Sequence, residues 1–318
     1  MPENKKVALK IEGLNKTLGK RHILHDIAFE AYEGEVFGFL GPNGAGKTTT
    51  IKCAVGLISM DSGKIEIEGK DVNKDFEGAM ANVGGIVENP EMYKYLTARQ
   101  NLEQYARMRD GVTPERIEEV AKIVGLSNRI DEKVGKYSLG MRQRIGVAQA
   151  ILHKPKLLIL DEPTNGLDPA GIKELRDILK HLAHEEGVCV IVSSHLMSEM
   201  ELMCDRVGII ANGSMLGVYT LEEMISSSNG ATTDYLIKCS DVNRAYELLE
   251  HDEGYEKKIV NEELEIVAPN ENAHEIISAV NRKIILADIG LYEVTKREKK
   301  KLEEVFIEMT ANGGDQIE

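Results

Sequence analysis

The sequence predicts an α/β protein in which a parallel sheet is covered by helices on both faces, followed by a smaller α+β domain. Three observations predict this: strand-like runs alternate with helical stretches up to about residue 220, the tail has a shorter pattern of its own, and the charge changes between the two parts. A chain of 318 residues is long enough for about two domains. We therefore expect one domain over residues 1–220 and an accessory domain over 221–318.

The chain is acidic, and its charge is unevenly distributed. It holds 39 Lys and Arg against 53 Asp and Glu, a formal net charge of −14. Residues 221–318 carry 22 acidic and 11 basic side chains, so most of the excess lies in the tail. This step supports a domain boundary near residue 220. The acidity argues against a protein that binds nucleic acid through a broad basic face.

Cysteine usage and hydropathy predict a cytosolic chain without a membrane span of its own. The four cysteines form no CxxC pair, which indicates reduced and mostly buried thiols. No apolar segment resembling a secretory signal follows the first lysines. The longest charge-free run, Val207–Leu221, has 15 residues, whereas about 18–20 apolar residues are needed to span a bilayer. Any membrane role is therefore expected to depend on a partner subunit.

Apolar periodicity orders the elements of the first 220 residues. Alternating or continuous apolar runs predict strands at 7–12, 23–32, 35–40, 64–68, 157–160 and 188–192. Helical spacing predicts helices at 48–57, 97–124, 172–186 and 198–204. Because continuous apolar strands alternate with helices, a parallel sheet buried on both faces is expected.

The tail is predicted to have the order βαββαβ, followed by a final helix. Strand signals occur at 235–239, 258–260, 264–267 and 287–294, and helix signals at 242–250, 273–280 and 302–309. This order is typical of a ferredoxin-like sandwich. Residues 226–230 are polar and small, which predicts a linker.

A phosphate-binding loop follows the strand at 35–40. Residues 41–48 match the pattern GxxxxGK[ST] and consist of Gly41, Pro42, Asn43, Gly44, Ala45, Gly46, Lys47 and Thr48. The glycines let the backbone approach an anion, and the N–H groups at the start of the next helix donate to phosphates. Lys47 is expected at the β- and γ-phosphate oxygens, the Thr48 hydroxyl on Mg²⁺ and Thr49 near the α-phosphate. The alternative is a glycine turn with an exposed lysine.

Two adjacent carboxylates, Asp161 and Glu162, end the apolar run Leu157–Leu160. Successive strand residues point to opposite sides, so the two carboxylates are predicted to have different roles. Asp161 is expected to hold Mg²⁺ through water, and Glu162 to act as general base toward the attacking water. A strand that simply ends in solvated acids is the alternative, which the phosphate loop upstream disfavours.

Residues 137–144, YSLGMRQR, resemble the signature motif of ABC transporter ATP-binding subunits, whose usual form is LSGGQ. Ser138 and Gly140 match this motif, whereas the residues that follow each of them depart from it. Residues 163–169, PTNGLDP, resemble the D-loop of the family, and His195 resembles its switch histidine, which senses the γ-phosphate. Together these motifs cover about residues 7–220. The resemblance implies a P-loop NTPase core of the ABC ATPase type that binds ATP and Mg²⁺.

The same resemblance implies an assembly. Two copies are expected to form a homodimer on ATP binding, with Ser138 and Gly140 facing the ATP of the other copy. Membrane permease subunits are the implied partners, and the chain is expected at the cytoplasmic face of the cell membrane as a peripheral protein. From the residues alone, Ser138 is also an ordinary helix N-cap, and a histidine at a strand end is often structural. The aromatic residues Tyr93 and Tyr95, with Leu96, are candidates either for docking to the permease or for core packing.

Two positions depart from the usual family pattern. Leu18 lies where the family often has an aromatic ring that stacks on adenine. Glu88 replaces the usual glutamine of the Q-loop, and a carboxylate, which only accepts hydrogen bonds, can still reach Mg²⁺ or the water. We therefore expect a catalytic and metal-binding role for Glu88, with a solvated turn before Pro90 as the alternative.

The form Ile-x-Glu-x-Pro at residues 86–90 is similar to ATPases of bacitracin-resistance and lantibiotic-immunity exporters, some of which carry a C-terminal extension. This similarity implies an ATP-hydrolysing exporter subunit for an antibiotic-peptide-like or other drug-like substrate. The main alternative is a soluble ABC ATPase that acts on nucleic acid or ribosomes. Such proteins usually have paired ATPase domains, a coiled-coil insertion or zinc cysteines, which this chain lacks. A P-loop GTPase is disfavoured because no NKxD motif is present, and a non-catalytic sensor is disfavoured by the intact site residues.

Overall fold

Two sheets, one antiparallel and one mostly parallel, organise the first part of the chain in the computed structural model. The structure describes residues 5–228, 232–250, 252–296, 303–304, 306–307 and 310. The chain divides into two units, one of residues 1–221 with 306–318 and one of residues 222–305. The expected domain limits, 1–220 and 221–318, stay a prediction.

The antiparallel sheet contains four strands in the order β2-β1-β4-β5. They are β1 (Val7–Leu18), β2 (Arg21–Tyr32), β4 (Ser62–Ile67) and β5 (Lys70–Asp71). The sequence analysis found most of these strands and missed that they form a separate sheet. The physical reason is the short turn at residues 19–20: Gly19 has φ 63°, and a connection this short can join only antiparallel strands.

The second sheet has six strands in the order β10-β9-β3-β8-β7-β6. They are β3 (Val36–Leu40), β6 (Val83–Ile86), β7 (Leu157–Asp161), β8 (Cys189–Ser194), β9 (Arg206–Ala211) and β10 (Ser214–Thr220). All neighbours are parallel except β9 and β10, which form a hairpin. The predicted parallel sheet is therefore confirmed. The sequence analysis did not predict β6, β9 and β10, because β6 contains two glycines and the hairpin strands lie in a run considered only as a membrane segment.

Seven α-helices lie within the described residues of the first unit, and an eighth, α8, runs from its last residue into the second unit. They are α1 (Lys47–Ala54), α2 (Phe76–Met80), α3 (Ala98–Ala106), α4 (Pro114–Ile123), α5 (Leu139–Ala150), α6 (Pro169–His184), α7 (Met197–Met203) and α8 (Leu221–Ser228). The predicted single helix at 97–124 is wrong, because Thr113 caps a new helix and Pro114 occupies its first position. Within the described ranges, no helix has both the length and the apolar character that a membrane span needs.

The parallel sheet brings three chain segments to one edge. Strands β3, β8 and β7 are neighbours, and all three are fully buried. The phosphate loop follows β3, Glu162 follows β7, and His195 follows β8. Because the carboxyl ends of parallel strands meet at the same edge, these segments lie side by side. Near the start of β3, Phe37 stacks on Phe29 of β2 with ring centroids 5.1 Å apart, and this contact fixes β2 against β3.

Within its described residues, the second unit contains most of α8, a four-stranded antiparallel sheet and two further α-helices. The elements are β11 (Thr232–Cys239), α9 (Val242–Leu248), β12 (Glu256–Val260), β13 (Glu263–Pro269), α10 (Ala273–Leu286) and β14 (Leu291–Lys296). The sheet order is β12-β13-β11-β14, which agrees with the predicted βαββαβ arrangement. Ile237, Leu264 and Ile266 of the sheet form its core with Ile277 and Ile284 of α10.

Two boundaries in the tail differ from the prediction. Strand β14 begins at Leu291 instead of residue 287, because α10 continues to Leu286 and Asp288 adopts a left-handed φ of 57°. The predicted linker at 226–230 is wrong in its first part, since residues 226–228 complete α8. Its last two residues, and half of the predicted helix at 302–309, lie outside the described residues, while residues 303–304 and 306–307 are helical as predicted.

Candidate functional site

The phosphate loop packs too closely against its neighbours to accept side chains at two of its glycines. Gly46 has φ 112°, and a Cβ there would lie 2.6 Å from Cδ2 of Leu24. A Cβ on Gly41 would lie 2.3 Å from the carbonyl oxygen of Ile210. Gly46 is also the N-cap of α1, so the helix begins with backbone N–H groups and no capping side chain. The loop therefore presents bare backbone donors, as an anion site requires.

Lys47 directs its ammonium group at the loop and at Glu162. Its Nζ donates to the carbonyl oxygens of Gly41 at 2.7 Å and Pro42 at 3.3 Å. The same Nζ lies 3.3 Å from Oε1 of Glu162, and only 6% of the Lys47 side chain is exposed. Carbonyls and a carboxylate thus satisfy the buried charge.

Asp161 uses both carboxylate oxygens inside the site. The Thr48 hydroxyl donates to Oδ2 at 2.8 Å, and the Ser193 hydroxyl donates to Oδ1 at 2.6 Å. Asp161 is 4% exposed, and charge-assisted bonds of this kind hold a carboxylate in one orientation. The structure therefore places Asp161 beside Thr48, where the sequence analysis expected two magnesium ligands.

Glu162 lies between a lysine and a histidine. Its Oε2 is 2.8 Å from Nδ1 of His195, while its Oε1 faces Lys47. Its backbone N–H donates to Oγ of Ser193 at 2.8 Å, and its φ of 49° is left-handed. This conformation is uncommon for a residue with a side chain. Because the strand ends at Asp161, the period of two does not set the direction of the Glu162 side chain. The two carboxylates nevertheless have different partners, as expected: Asp161 contacts Thr48, and Glu162 contacts Lys47 and His195.

Lys47, Thr48, Glu162 and His195 open onto one cavity of about 450 Å³, a volume in the range of small-molecule sites. Its walls come from the β1–β2 hairpin, the phosphate loop and the segments after β7 and β8. The lining residues are Leu18, Arg21, Ile23, Asn43, Gly44, Gly46, Lys47, Thr48, Thr49, Glu162, Asn165 and His195. Of the predicted loop residues, Gly41 and Pro42 contribute carbonyls to Lys47, and Ala45 pairs through its backbone with Gly213.

Glu88 is not among the residues that line this cavity. Its carboxylate accepts a hydrogen bond from Nζ of Lys52 on α1 at 2.8 Å, and 66% of its side chain is exposed. The hydrogen bond from Lys52 lowers the pKa of Glu88 below its usual value. The backbone at Glu88 has φ 69°. The structure thus places the Glu88 carboxylate against Lys52 of the phosphate-loop helix, and its expected catalytic and metal-binding role stays a prediction.

Ser138 and Gly140 lie at the start of α5, outside the cavity lining. The Ser138 hydroxyl accepts a hydrogen bond from the backbone N–H of Met141 at 3.2 Å, so the helix-cap interpretation is confirmed. The exposed position of Ser138 is compatible with a second role toward another copy. The contact in trans stays a prediction.

The sequence analysis missed four residues at the site: Arg21, Ile23, Asn165 and Ser193. Arg21 pairs with Leu18 across the turn of the β1–β2 hairpin, so predicting the hairpin would have placed it. Ser193 is buried, and its hydroxyl donates to Asp161 and accepts from the N–H of Glu162. The sequence signal for Ser193 was its hydroxyl near the end of β8, the strand that lies next to β7 in the sheet.

Comparison with known proteins finds one family throughout. A family description for "ABC transporter" matches residues 24–165. The chain is 46% identical, over 98% of its length and 99% of the relative, to the uncharacterized ABC transporter ATP-binding protein YhcH of Bacillus subtilis. It is 43% identical to the bacitracin transport ATP-binding protein BcrA of Bacillus licheniformis, over 76% of this chain and 78% of that protein.

Two further matches extend this comparison. The lantibiotic transport ATP-binding protein SrtF of Streptococcus pyogenes is 41% identical, over 69% of this chain and 96% of that protein. Among solved structures, the ATP-binding subunit of an ABC transporter matches with a TM-score of 0.62 and 29% identity, over 70% of this chain and 93% of that one. The similarity is therefore one of sequence and of fold.

Proposed function

The chain belongs to the ABC transporter family as an ATP-binding subunit, and we propose that it powers the export of peptide antibiotics through separate permease subunits. It is an ATPase that binds ATP and hydrolyses it to drive transport. The observation that best supports catalysis by this chain is the position of Glu162 between Lys47 and His195 at the cavity. The similarity to bacitracin and lantibiotic transport proteins supports the proposed substrate class.

The phosphate loop is proposed to bind the triphosphate of ATP. The bare N–H groups of the loop and of α1 donate to the phosphate oxygens, and Lys47 exchanges part of its present contacts for the β- and γ-phosphates. Asn43, Gly44 and Thr49 line the same wall of the cavity. Because the donors are already oriented, binding requires little rearrangement of the loop.

The residues beside the loop fit Mg²⁺. Thr48 and Asp161 offer hard oxygen ligands whose atoms lie 2.8 Å apart, and Mg²⁺ is usually held by few protein oxygens together with phosphates and water. We assign the ion to these two residues, with Glu88 as a further oxygen donor. When bound, Mg²⁺ neutralises the charge that develops on the phosphates.

Hydrolysis is proposed to use Glu162 as general base. Its carboxylate takes a proton from the water that attacks the γ-phosphate, and His195 holds that carboxylate in place through its Nδ1. His195 also lines the cavity, where it can contact the γ-phosphate. Glu88 is proposed to orient the same water once it leaves Lys52.

The mechanical step is proposed to be closure of a homodimer. Ser138 and Gly140 at the start of α5 contact the γ-phosphate held by the other copy. ATP makes these contacts and ADP does not, so ATP favours the closed dimer and hydrolysis reopens it. Residues 1–220 are the proposed ATP-binding domain and 221–318 an accessory domain. The chain is proposed to work at the cytoplasmic face of the membrane, peripherally and without nucleic acid.

The proposed docking surface for the permease consists of Tyr93, Tyr95 and Leu96. The two tyrosine side chains are exposed by 53% and 68%, and their ring centroids lie 5.8 Å apart. Core packing was the alternative for these tyrosines, and their exposure excludes it. Exposed aromatic pairs of this kind are common at protein interfaces. The surface follows the Glu88 segment along the chain, so it can respond to events at the cavity.

Replacing Tyr93 and Tyr95 by alanine together tests the proposed function in cells. We expect the wild-type chain, expressed with its permease, to raise the minimum inhibitory concentration of bacitracin several-fold. The double variant should lose this effect, because truncating interface tyrosines weakens association by about 2 kcal/mol or more. ATP hydrolysis by the isolated double variant should remain at the wild-type rate.

An exposed leucine provides the control for this experiment. Leu57 is 62% exposed and lies outside the proposed docking surface, so Leu57→Ala should preserve resistance. If the wild-type chain changes resistance to an unrelated antibiotic and not to bacitracin, the proposed substrate class is wrong. If the tyrosine variant still confers full resistance, the docking surface lies elsewhere.

Replacing Leu18 by tyrosine should tighten ATP binding. Leu18 lines the cavity and is 45% exposed, and an aromatic ring stacked on a base contributes about 1–3 kcal/mol relative to alanine. Because leucine already supplies part of this contact, we expect a decrease in Kd of about 3- to 10-fold. Titration with a fluorescent ATP analogue measures it, with Leu57→Tyr as control. An unchanged Kd would show that the base does not contact this hairpin.

A further inference from the structure

A single carboxylate on α7 connects two segments that flank the proposed hydrolysis site. Oε2 of Glu199 accepts a hydrogen bond from Oγ1 of Thr164 at 2.5 Å and another from Oγ of Ser194 at 3.3 Å. Thr164 is 5% exposed and Ser194 is 1% exposed. Glu199 is not among the residues that line the cavity, so its contact with the site runs through these two hydroxyls.

The Thr164 end of this connection leads to Glu162. Thr164 lies two residues after Glu162, in a turn closed by the bond from the N–H of Asn165 to the carbonyl oxygen of Glu162 at 3.1 Å. Glu162 holds its left-handed φ of 49° at the start of this turn. A change at Thr164 would therefore alter the backbone that aims the Glu162 side chain.

The Ser194 end leads to His195. Ser194 directly precedes His195, and its hydroxyl also accepts from the N–H of Leu196 at 3.0 Å. His195 thus lies within a short turn that is closed by the hydrogen bond from the Leu196 N–H to the Ser194 hydroxyl. Glu199 orients this hydroxyl, because an oxygen that accepts from Leu196 must point its own hydrogen elsewhere.

We propose that Glu199 is a positioning residue for ATP hydrolysis, an inference that rests on the proposed roles of Glu162 and His195. Its carboxylate fixes the turn after Glu162 relative to the turn around His195, and so maintains the 2.8 Å contact between their side chains. Hydrogen bonds to a charged acceptor are stronger than neutral ones. Two such bonds, one from a buried hydroxyl on each turn, join Glu199 to Thr164, 35 residues away in sequence, and to Ser194, 5 residues away.

A merely structural role for Glu199 makes a different prediction. Glu199 lies in the first turn of α7, where an acidic side chain stabilises a helix through its dipole. Such a role would affect the melting temperature and leave kcat unchanged. It would also be independent of Thr164, because the dipole effect does not involve the threonine hydroxyl.

The test measures kcat, KM and the Kd for ATP in Glu199→Met, which removes the acceptor oxygen while keeping an unbranched side chain, in Thr164→Val and in the double variant. For each single variant we expect kcat to fall about 10- to 100-fold, because small displacements of reacting groups have effects of this size. KM and Kd should stay within about twofold, since neither residue touches the cavity. The double variant should be no slower than the slower single variant, because both changes break the same connection.

Three controls make the result decisive. Thr164→Ser restores the hydroxyl and should recover most of the rate lost in Thr164→Val. Glu201→Gln removes the same charge from an exposed position on α7 and should retain the wild-type kcat. Circular dichroism and thermal melting identify any variant that loses its fold. If the Glu199 variant does so, the comparison of Thr164→Val with Thr164→Ser tests the proposal.

The outcomes distinguish this proposal from the proposed function. An unchanged kcat in Glu199→Met, or losses that multiply fully in the double variant, would overturn the positioning role. Glu162→Gln is measured alongside. If it hydrolyses ATP normally, the assignment of the base is wrong, and the positioning role of Glu199 toward that base is overturned with it. If Glu162→Gln is inactive and Glu199→Met is normal, only the inference about Glu199 fails.

Discussion

Replacing Glu162 by glutamine should reduce ATP hydrolysis by about 10²- to 10⁴-fold, the usual contribution of a general base. Glutamine keeps the shape of the side chain and cannot accept a proton from water. Its amide oxygen can still accept from Lys47 or from the Nδ1–H of His195, whose present distances to Glu162 are 3.3 Å and 2.8 Å. The loss should therefore appear in kcat, while Kd for ATP changes little.

The same variant tests the proposed dimer. Without hydrolysis, bound ATP persists, so the mass of Glu162→Gln in solution should double when ATP and Mg²⁺ are added. ADP should leave it monomeric, because the proposed contacts of Ser138 involve the γ-phosphate. Glu201→Gln, which changes the charge equally on exposed α7 surface, should hydrolyse ATP and show no persistent dimer. Unchanged hydrolysis in Glu162→Gln would remove Glu162 as the base, and a mass indifferent to ATP would contradict dimerisation by this chain alone.

Most of the candidate site could be predicted because local sequence dictates it. The phosphate loop needs glycine where the backbone is left-handed or crowded, as at Gly46, so its pattern is recognisable without a structure. Asp161 ends a fully buried strand, and Glu162 and His195 each follow one. Continuous apolar runs of strand length can be recognised in the sequence. Once the strands are known to be parallel neighbours, their ends must meet.

The parts that could not be predicted depend on pairing between distant segments. The sequence of residues 7–18 does not indicate whether that strand joins the parallel sheet or a second sheet. Its pairing with β4 is set by tertiary packing. The connection of Glu199 to Thr164 likewise joins residues 35 positions apart, and an acidic residue in the first turn of a helix has an ordinary local explanation.

Glu88 shows a third limit of prediction from sequence: the type of a residue does not determine which residue its side chain contacts. The carboxylate at the Q-loop position was expected to act toward Mg²⁺ or water, and in the structure it pairs with Lys52. An ion pair this exposed is weak because solvent and salt screen it, so a stronger electrostatic partner can replace it. A glutamine at this position could not form the ion pair, since it carries no charge.

Replacing Lys47 by methionine should weaken ATP binding more than any other single change in the loop. Methionine retains an unbranched apolar stem and removes the ammonium that donates to Gly41 and Pro42 and pairs with Glu162. Each charge-assisted hydrogen bond contributes about 1.5–3 kcal/mol. Losing two such bonds to the phosphates should raise the Kd for ATP by about 10²- to 10⁴-fold, as measured by calorimetric titration.

Comparing the binding of ATP with that of AMP tests whether the Lys47 ammonium contacts the β- and γ-phosphates. If its ammonium binds the β- and γ-phosphates, Lys47→Met should bind ATP poorly and AMP about as weakly as the wild-type protein does. A general disruption of the loop would instead weaken AMP binding as well and lower the melting temperature. Lys64→Met is the matched control, because it removes an ammonium that pairs with Glu66 on β4, outside the cavity lining. Equal ATP affinities for Lys47→Met and the wild type would overturn the assignment of this lysine, because no other lysine lines the cavity within the part of the chain that the structure describes.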